Sequence, residues 1–227
     1  MTSETTTQDG PPLKRPRRRP PEAAAALEKA RDLARNRICE AALLLFERGG
    51  IEAISMRQIA NEIGVSQMMA YNYFRTKDHL LQELRTRAFQ QLEQVLTASA
   101  RIDGTARERL RQVLLAYVRF GLQERRAYRL MFDYWAYDNP ERMLQDFGDA
   151  ARRQAGPWNA LLAAVSAFVV EDGGDADPLT ATHLVWAGLH GLVSLEVSRK
   201  LVWGRTAEQL ETPMVDVILG GILPPQR

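Results

Sequence analysis

Apolar residues recur along this chain every three or four positions from about residue 38 to about residue 219, the period of helices with one buried face. No stretch shows the alternation or the tight hairpin turn of paired strands, so the pattern predicts an all-α protein. Ile38, Ala42, Leu45 and Phe46 give a first helix, closed by Gly49-Gly50. Ser55 opens a second with a capping box to Gln58, and Met56, Ile59, Ala60 and Ile63 form its apolar face. Gly64-Val65-Ser66 is a short turn in which glycine takes a positive φ, Val65 fills the angle between helices and Ser66 caps a third helix. Ala70 and Phe74 point that helix inward, leaving Met68 and Asn72 on the outer side with Met69 and Tyr71 flanking them. Two methionines and an asparagine facing water suit a surface that meets something. Thr76 caps a fourth helix, with Asp78 in its first turn and a stripe of Leu81, Leu84, Ala88, Leu92 and Val95 running to about Ser99.

Five further helices are expected near 105–124, 126–138, 141–170, 178–201 and 206–219, nine in all, with Gly156-Pro157 splitting the third of these five. Three parts follow: a basic arm over 1–33, a small helix-turn-helix domain over 34–92 and a larger helical bundle over 93–227. The arm holds Lys14, Arg15, Arg17, Arg18 and Arg19 among Pro, Thr and Gly, a composition that reads as disordered. Between Glu22 and Arg37, however, Ala, Leu, Glu, Lys and Arg suit a helix. The arm is either a source of extra phosphate or minor-groove contacts or a solubilising tail.

Charge adds a direction to this layout. The net charge is only +2, yet residues 1–85 carry +3 and the remainder −1, an asymmetry that favours a polyanion at the N-terminal end. With 227 residues, 45% of them apolar, both parts can bury a core. No apolar run approaches the roughly 18 residues of a membrane span, and the polar, proline-rich start lacks the apolar region of a signal peptide, so the expected location is cytoplasmic. Cys39 is the only cysteine and reads as a small buried apolar residue, with no disulfide or cysteine zinc cluster possible within the chain.

The run from Arg37 to Leu84, RICEAALLLFERGGIEAISMRQIANEIGVSQMMAYNYFRTKDHLLQEL, resembles the DNA-binding domain of the TetR family, without insertion over about 50 residues. Ile54 to Ala60 looks like the family's second helix, Gly64-Val65-Ser66 like its turn, Ala70-Tyr71-Asn72-Tyr73-Phe74 like its recognition helix, and Lys77 to Leu81 like the opening of its fourth helix. The resemblance implies a homodimer that binds double-stranded DNA at a palindrome, since one recognition helix reads only a few base pairs. Gln67 suits an adenine edge and Met68 or Met69 a thymine methyl. Tyr71 and Lys77 match positions the family uses on phosphates, and Arg57 a position that reaches a base or phosphate, or else pairs with a neighbouring acid. Ser66 and Asn72 complete the expected reading surface. Tyr73 departs from the family, which commonly has histidine there, so a contact of different reach is implied.

The segment from Leu184 to Leu192, LVWAGLHGL, resembles the Trp/His-Gly signature of one group of TetR-family C-terminal domains, whose last two long helices pair with their copies in the partner. That makes 178–201 and 206–219 the dimer candidates, with Gly188 and Gly191 allowing close helix approach there or within the domain. Tyr117, Phe120, Met131, Phe132, Trp135, Trp158, Phe168, Trp186 and His190 are the candidate lining of an apolar small-molecule effector site, with hydroxyl and indole groups to orient a ligand. The expected function is a repressor released from DNA by such an effector. The alternative is a ligand-independent DNA-binding dimer whose C-terminal domain packs solid. His183 and His190 share a face but lie two turns, about 10 Å, apart, too far for one zinc ion, so no metal and no cofactor is expected. An enzyme is not indicated, since no GxSxG elbow, P-loop, GxGxxG or HExxH motif is present.

Overall fold

The computed structural model describes residues 21–133, 140–171 and 176–221; the basic run at 14–19, Trp135 and the Gly173-Gly174 turn lie outside them. Ten α-helices and one short 3-10 turn make up the described residues, with no strand among them. The helices are α1 (Pro21–Gly49), α2 (Met56–Ile63), α3 (Gln67–Tyr73), α4 (Lys77–Ser99), α5 (Ala106–Gln123), α6 (Arg125–Phe132), α7 (Pro140–Gln154), α8 (Gly156–Glu171), α9 (Pro178–Val197) and α10 (Ala207–Gly221). The expected split next to Gly156 falls at Ala155 and divides the third of the five C-terminal segments into α7 and α8, so the described residues hold ten α-helices.

Helix α1 corrects the division at the N-terminus. It starts at Pro21, so residues 21–33, placed within the basic arm, are helical, as the Ala, Leu, Glu, Lys and Arg content from Glu22 onward suits. Proline is favoured in a first turn, where its missing N–H would have no partner in any case, Glu22 complements the helix dipole, and Ala23 to Ala26 are the strongest helix formers. Residues 22–33 are all exposed, so local propensity rather than burial shapes these turns.

The helix-turn-helix forms where its punctuation lies. Gly64 ends α2 in the left-handed region at φ 70°, and Ser66 caps α3 by accepting from the Met69 N–H at 3.3 Å. Thr76 does the same for α4 through the His79 N–H at 3.2 Å. At Ser55 the box is only half formed: Oγ accepts from the Gln58 N–H and donates to Gln58 Oε1, so the glutamine does not reach back to the cap's own N–H. The reciprocal arrangement occurs instead at Thr105 and Glu108, where the capped N–H bonds hold the Glu108 carboxyl below its ordinary pKa.

Two cores result. Ile38, Ala42, Phe46, Ile54, Ile59, Ala70, Phe74, Leu80, Leu81 and Leu84 close the small domain, while Ala88, Leu92 and Leu96 of the same α4 belong to the larger core built with α5, α8, α9 and α10. The cores therefore divide between Leu84 and Ala88, one to two turns earlier along α4 than the expected boundary at residue 92. One residue crosses the division: Leu130 of α6, 1% exposed, is buried in the small domain's core, whereas its neighbours Tyr128 and Met131 are buried in the larger one. Gly188 abuts α10, where an added Cβ would stand 3.4 Å from Ile218, while Gly191 has open space on the outer side of α9.

Candidate DNA-reading face and effector site

Burying Ala70 and Phe74, 0% and 2% exposed, fixes the rotation of α3 and turns Gln67, Met68, Met69, Tyr71 and Asn72 outward together. Met68 is 72% exposed, an apolar side chain held in water by a well-capped helix. Arg57 is exposed in the first turn of α2. Ser66 is also exposed, but its Oγ is committed to the cap of α3. Tyr73 differs from the others: it is half-buried against the small core, and its carbonyl accepts from Arg35 Nη1 at 3.1 Å. Its ring is therefore turned back from the outward set. Lys77 is half-buried at the start of α4, where Nζ donates to the Ile51 carbonyl at 2.8 Å, leaving an ammonium with further donors beside the unpaired N–H groups of a helix start.

Arg35 was not foreseen as a structural clamp. Its guanidinium lies 4.4 Å from the Phe74 ring centre and 3.5 Å from Glu83, so it joins α1, the end of α3 and α4. The sequence separation of 38 residues from Tyr73 left no local signal for it.

In the larger domain the aromatic candidates assemble from four helices. Trp158 of α8 meets His183 of α9 at a tilt and Trp186 edge to face, with ring centres 4.5 and 6.3 Å away. Trp186 continues to His190 at 5.5 Å, and His190 to Phe132 of α6 at 4.6 Å. Tyr128, absent from the expected set, is central: its hydroxyl is hydrogen-bonded to His190 Nδ1 at 2.6 Å and to the Tyr117 hydroxyl of α5 at 3.3 Å. A spacing of 62 residues to His190 hid this pairing from any local pattern. Met131, Phe120 and Phe168 are buried in the same core outside this chain of rings, Phe168 lying under the Arg107 guanidinium. The two histidines of α9 have different neighbours, His183 the Trp158 ring and His190 the Tyr128 hydroxyl.

Burial sets the protonation of this group. It pushes the Tyr117 phenol up to about 12 and raises that of Tyr128 as well, while it lowers the His190 pKa from its ordinary 6.5 against the opposing pull of Asp133. All three are neutral near pH 7 and offer hydrogen bonds without charge. An unfolded chain takes up a proton at His190 before the folded one does, so the stability contributed by the neutral imidazole is present above pH 6.5 and lost as pH falls below it. His190→Gln is expected to flatten the decline in melting temperature between about pH 7 and about pH 5.5. An unchanged slope would assign the acid lability to other groups.

Helix α6 ties the two sites together. Tyr128 and Phe132 belong to the aromatic group, and Leu130 to the core beneath the reading helix. From the same helix Arg126 pairs with Glu47 of α1 at 3.0 Å and Arg129 lies 5.4 Å from the Phe46 ring centre, while Arg85 of α4 donates to the Met131 carbonyl at 3.0 Å.

With this geometry in place, two family profiles match in sequence order: residues 38–84 that of the bacterial regulatory proteins of the tetR family, and residues 110–218 that of the tetracyclin repressor-like C-terminal domain. The chain belongs to the TetR family of bacterial regulatory proteins. The HTH-type transcriptional repressor KstR of Mycolicibacterium smegmatis is 36% identical over 76 residues, which are 34% of this chain and 37% of that protein, so the chain spans only about a third of the curated relative's length. Among solved structures, a protein of unknown function from Rhodococcus sp. RHA1 aligns with a TM-score of 0.72 at 23% identity, over 85% of this chain and 95% of its own. The regulator FadR of Bacillus subtilis, solved with stearoyl-CoA, aligns with a TM-score of 0.67 at 17% identity, over 82% and 97%. These two likenesses establish the fold. Among the described residues no helix is long and apolar enough to cross a membrane.

Proposed function

We propose that the chain is a transcriptional repressor that binds a palindromic operator as a homodimer and releases it when an apolar small molecule enters the aromatic group of the larger domain. The observation that carries the reading is the α3 face, where Gln67, Met68, Tyr71 and Asn72 stand outward on a helix locked from behind by Ala70 and Phe74. Such a face fits a major groove, with Gln67 at the base-reading end and Tyr71 and Lys77 on phosphates. Dimerisation follows from the need for two reading helices. The outer surfaces of α9 and α10 supply a face for it, since Leu184, Leu195 and Val217 are 57%, 44% and 70% exposed and Gly191 leaves room for a partner helix. The domain limits that fit this reading are the small domain from about residue 34 and the effector and dimerisation domain beyond α4.

The effector's effect is a matter of linkage: a ligand lowers DNA affinity only by binding better to an arrangement in which the reading helices are wrongly spaced. Helix α4, which contributes to both cores, is one lever. The contacts of α6 make it the stronger one, because a ligand against Tyr128 or Phe132 presses on the helix that holds Leu130 in the small core. A regulator of similar fold, FadR of Bacillus subtilis, is solved in complex with a small molecule, stearoyl-CoA. The test is selection of bound genomic fragments by the full-length protein, followed by quantitative binding to the selected palindrome. Gln67→Ala is expected to weaken the selected site by about 1–3 kcal/mol while leaving nonspecific binding unchanged. Equal loss on every sequence, or no preference for any duplex over bulk competitor, overturns the reading.

A further inference from the structure

Arg75 leaves the turn between α3 and α4, and Arg153 leaves the last turn of α7; both are exposed, and neither has a hydrogen bond or ion pair among the described residues. Both line one cavity of about 330 Å³, wedged between the small domain and α7. Arg35 forms a third cationic part of the wall. Glu83 is also there, but Arg35 and Arg87 engage its carboxylate at 3.5 and 2.9 Å, so its charge is already met. His79 lines the cavity too, its Nδ1 3.0 Å from Thr76 Oγ1. The wall further includes Gln82, 3% exposed, whose Oε1 accepts from Gln154 while its Nε2 has no hydrogen-bond partner. The Gln82 amide nitrogen is closed off from the cavity, whereas the Arg75 and Arg153 guanidinium groups both line it with no acid among the described residues as partner. A dianion seated between them gains two charge-assisted contacts.

We propose that this cavity binds the phosphate group of a small metabolite, held between the guanidinium groups of Arg75 and Arg153. Guanidinium forks match phosphate oxygens in geometry and charge, and the cavity has room for a compact phosphate ester. A small molecule fits better than the DNA backbone, because the site lies beside Tyr73 and the buried Phe74 at the inner end of α3, whereas Gln67, Met68 and Asn72 face outward. Occupancy ties the reading domain to α7. On the reading given under Proposed function, which this consequence rests on, a bound phosphate resists the rearrangement that an effector requires, and so acts as a second, opposing control.

The probe is inorganic phosphate, titrated calorimetrically into the full-length protein without DNA, at constant ionic strength against chloride. One saturable site per chain is expected, weakened at least about tenfold in Arg75→Gln and in Arg153→Gln. Both positions are exposed, and matching melting curves check that the variants fold. No saturable binding, or equal binding in the two variants and the parent, overturns the proposal. If operator DNA displaces phosphate and Arg153→Gln lowers the salt dependence of DNA binding by about one ion, the arginines belong to a backbone contact, and the small-molecule site is overturned. Because phosphate binding is measured without DNA, its failure leaves the repressor reading to its own test.

Discussion

Leu130→Ala is expected to destabilise the small domain by about 2–5 kcal/mol while leaving the larger domain nearly intact. The side chain is 1% exposed and packs among Ile38, Phe46, Leu80, Leu81 and Leu84, although its apolar neighbours Tyr128, Met131 and Phe132 belong to the other core. Truncation removes apolar contacts and leaves a cavity that α6 cannot close without pulling Tyr128 and Met131 out of place. The chain reports the two domains separately, because all four tryptophans, Trp135, Trp158, Trp186 and Trp203, lie in the C-terminal part. Denaturant unfolding followed by tryptophan fluorescence and by far-ultraviolet circular dichroism should therefore diverge in the variant, with the helical signal falling first. Coincident curves shifted by less than about 1 kcal/mol would show that Leu130 is no joint between the cores. If the reading of α6 as lever holds, DNA affinity in this variant also ceases to respond fully to effector.

The second large effect is on DNA itself. Lys77→Ala is expected to lower affinity for all duplexes by about tenfold or more at moderate salt, and to reduce the salt slope by about one released ion. The ammonium has a definite seat, since Nζ donates to the Ile51 carbonyl at 2.8 Å and is thereby fixed at the N-terminal end of α4. An ordered cation beside helix-start N–H groups loses little freedom when it meets a phosphate, so its contribution is larger than that of a free surface lysine. Part of the loss has a structural origin, because the Ile51 carbonyl loses a partner; a melting curve measures that part independently. Affinity untouched at moderate salt would mean that the start of α4 does not face the duplex.

The reading head was legible because its information is local. Gly49-Gly50, Gly64, Ser66 and Thr76 stop and start helices within a few residues of where they act, and each does so in the structure. The same locality left two readings of the start of α1. A proline-rich, charged stretch reads as disorder when judged by burial, yet Pro21-Glu22 is also a helix-start signature, and the exposed turns that follow it show that both judgements respond to the same residues. What no local pattern contains is the packing of separate helices. Leu130 reads as one more apolar position on α6, and only the docking of α6 against α1 and α4 assigns it to the other core. Tyr128 and His190 are 62 residues apart, and Arg35 and Tyr73 are 38 apart, so their bonds arise from tertiary placement. The aromatic residues could be named as a set from composition; their order around His190 could not.

Cys39 lies on the side of α1 that faces away from solvent, 2% exposed, with burial pushing its thiol up to about 11. At cellular pH almost none of it is thiolate, the form that oxidants and electrophiles attack. A cysteine introduced at an exposed position off the reading face, for example in place of Leu44, which is 42% exposed on α1, will thus be the only rapidly modified sulfhydryl in the molecule, and a fluorophore placed there reports on the small domain without first removing the native residue.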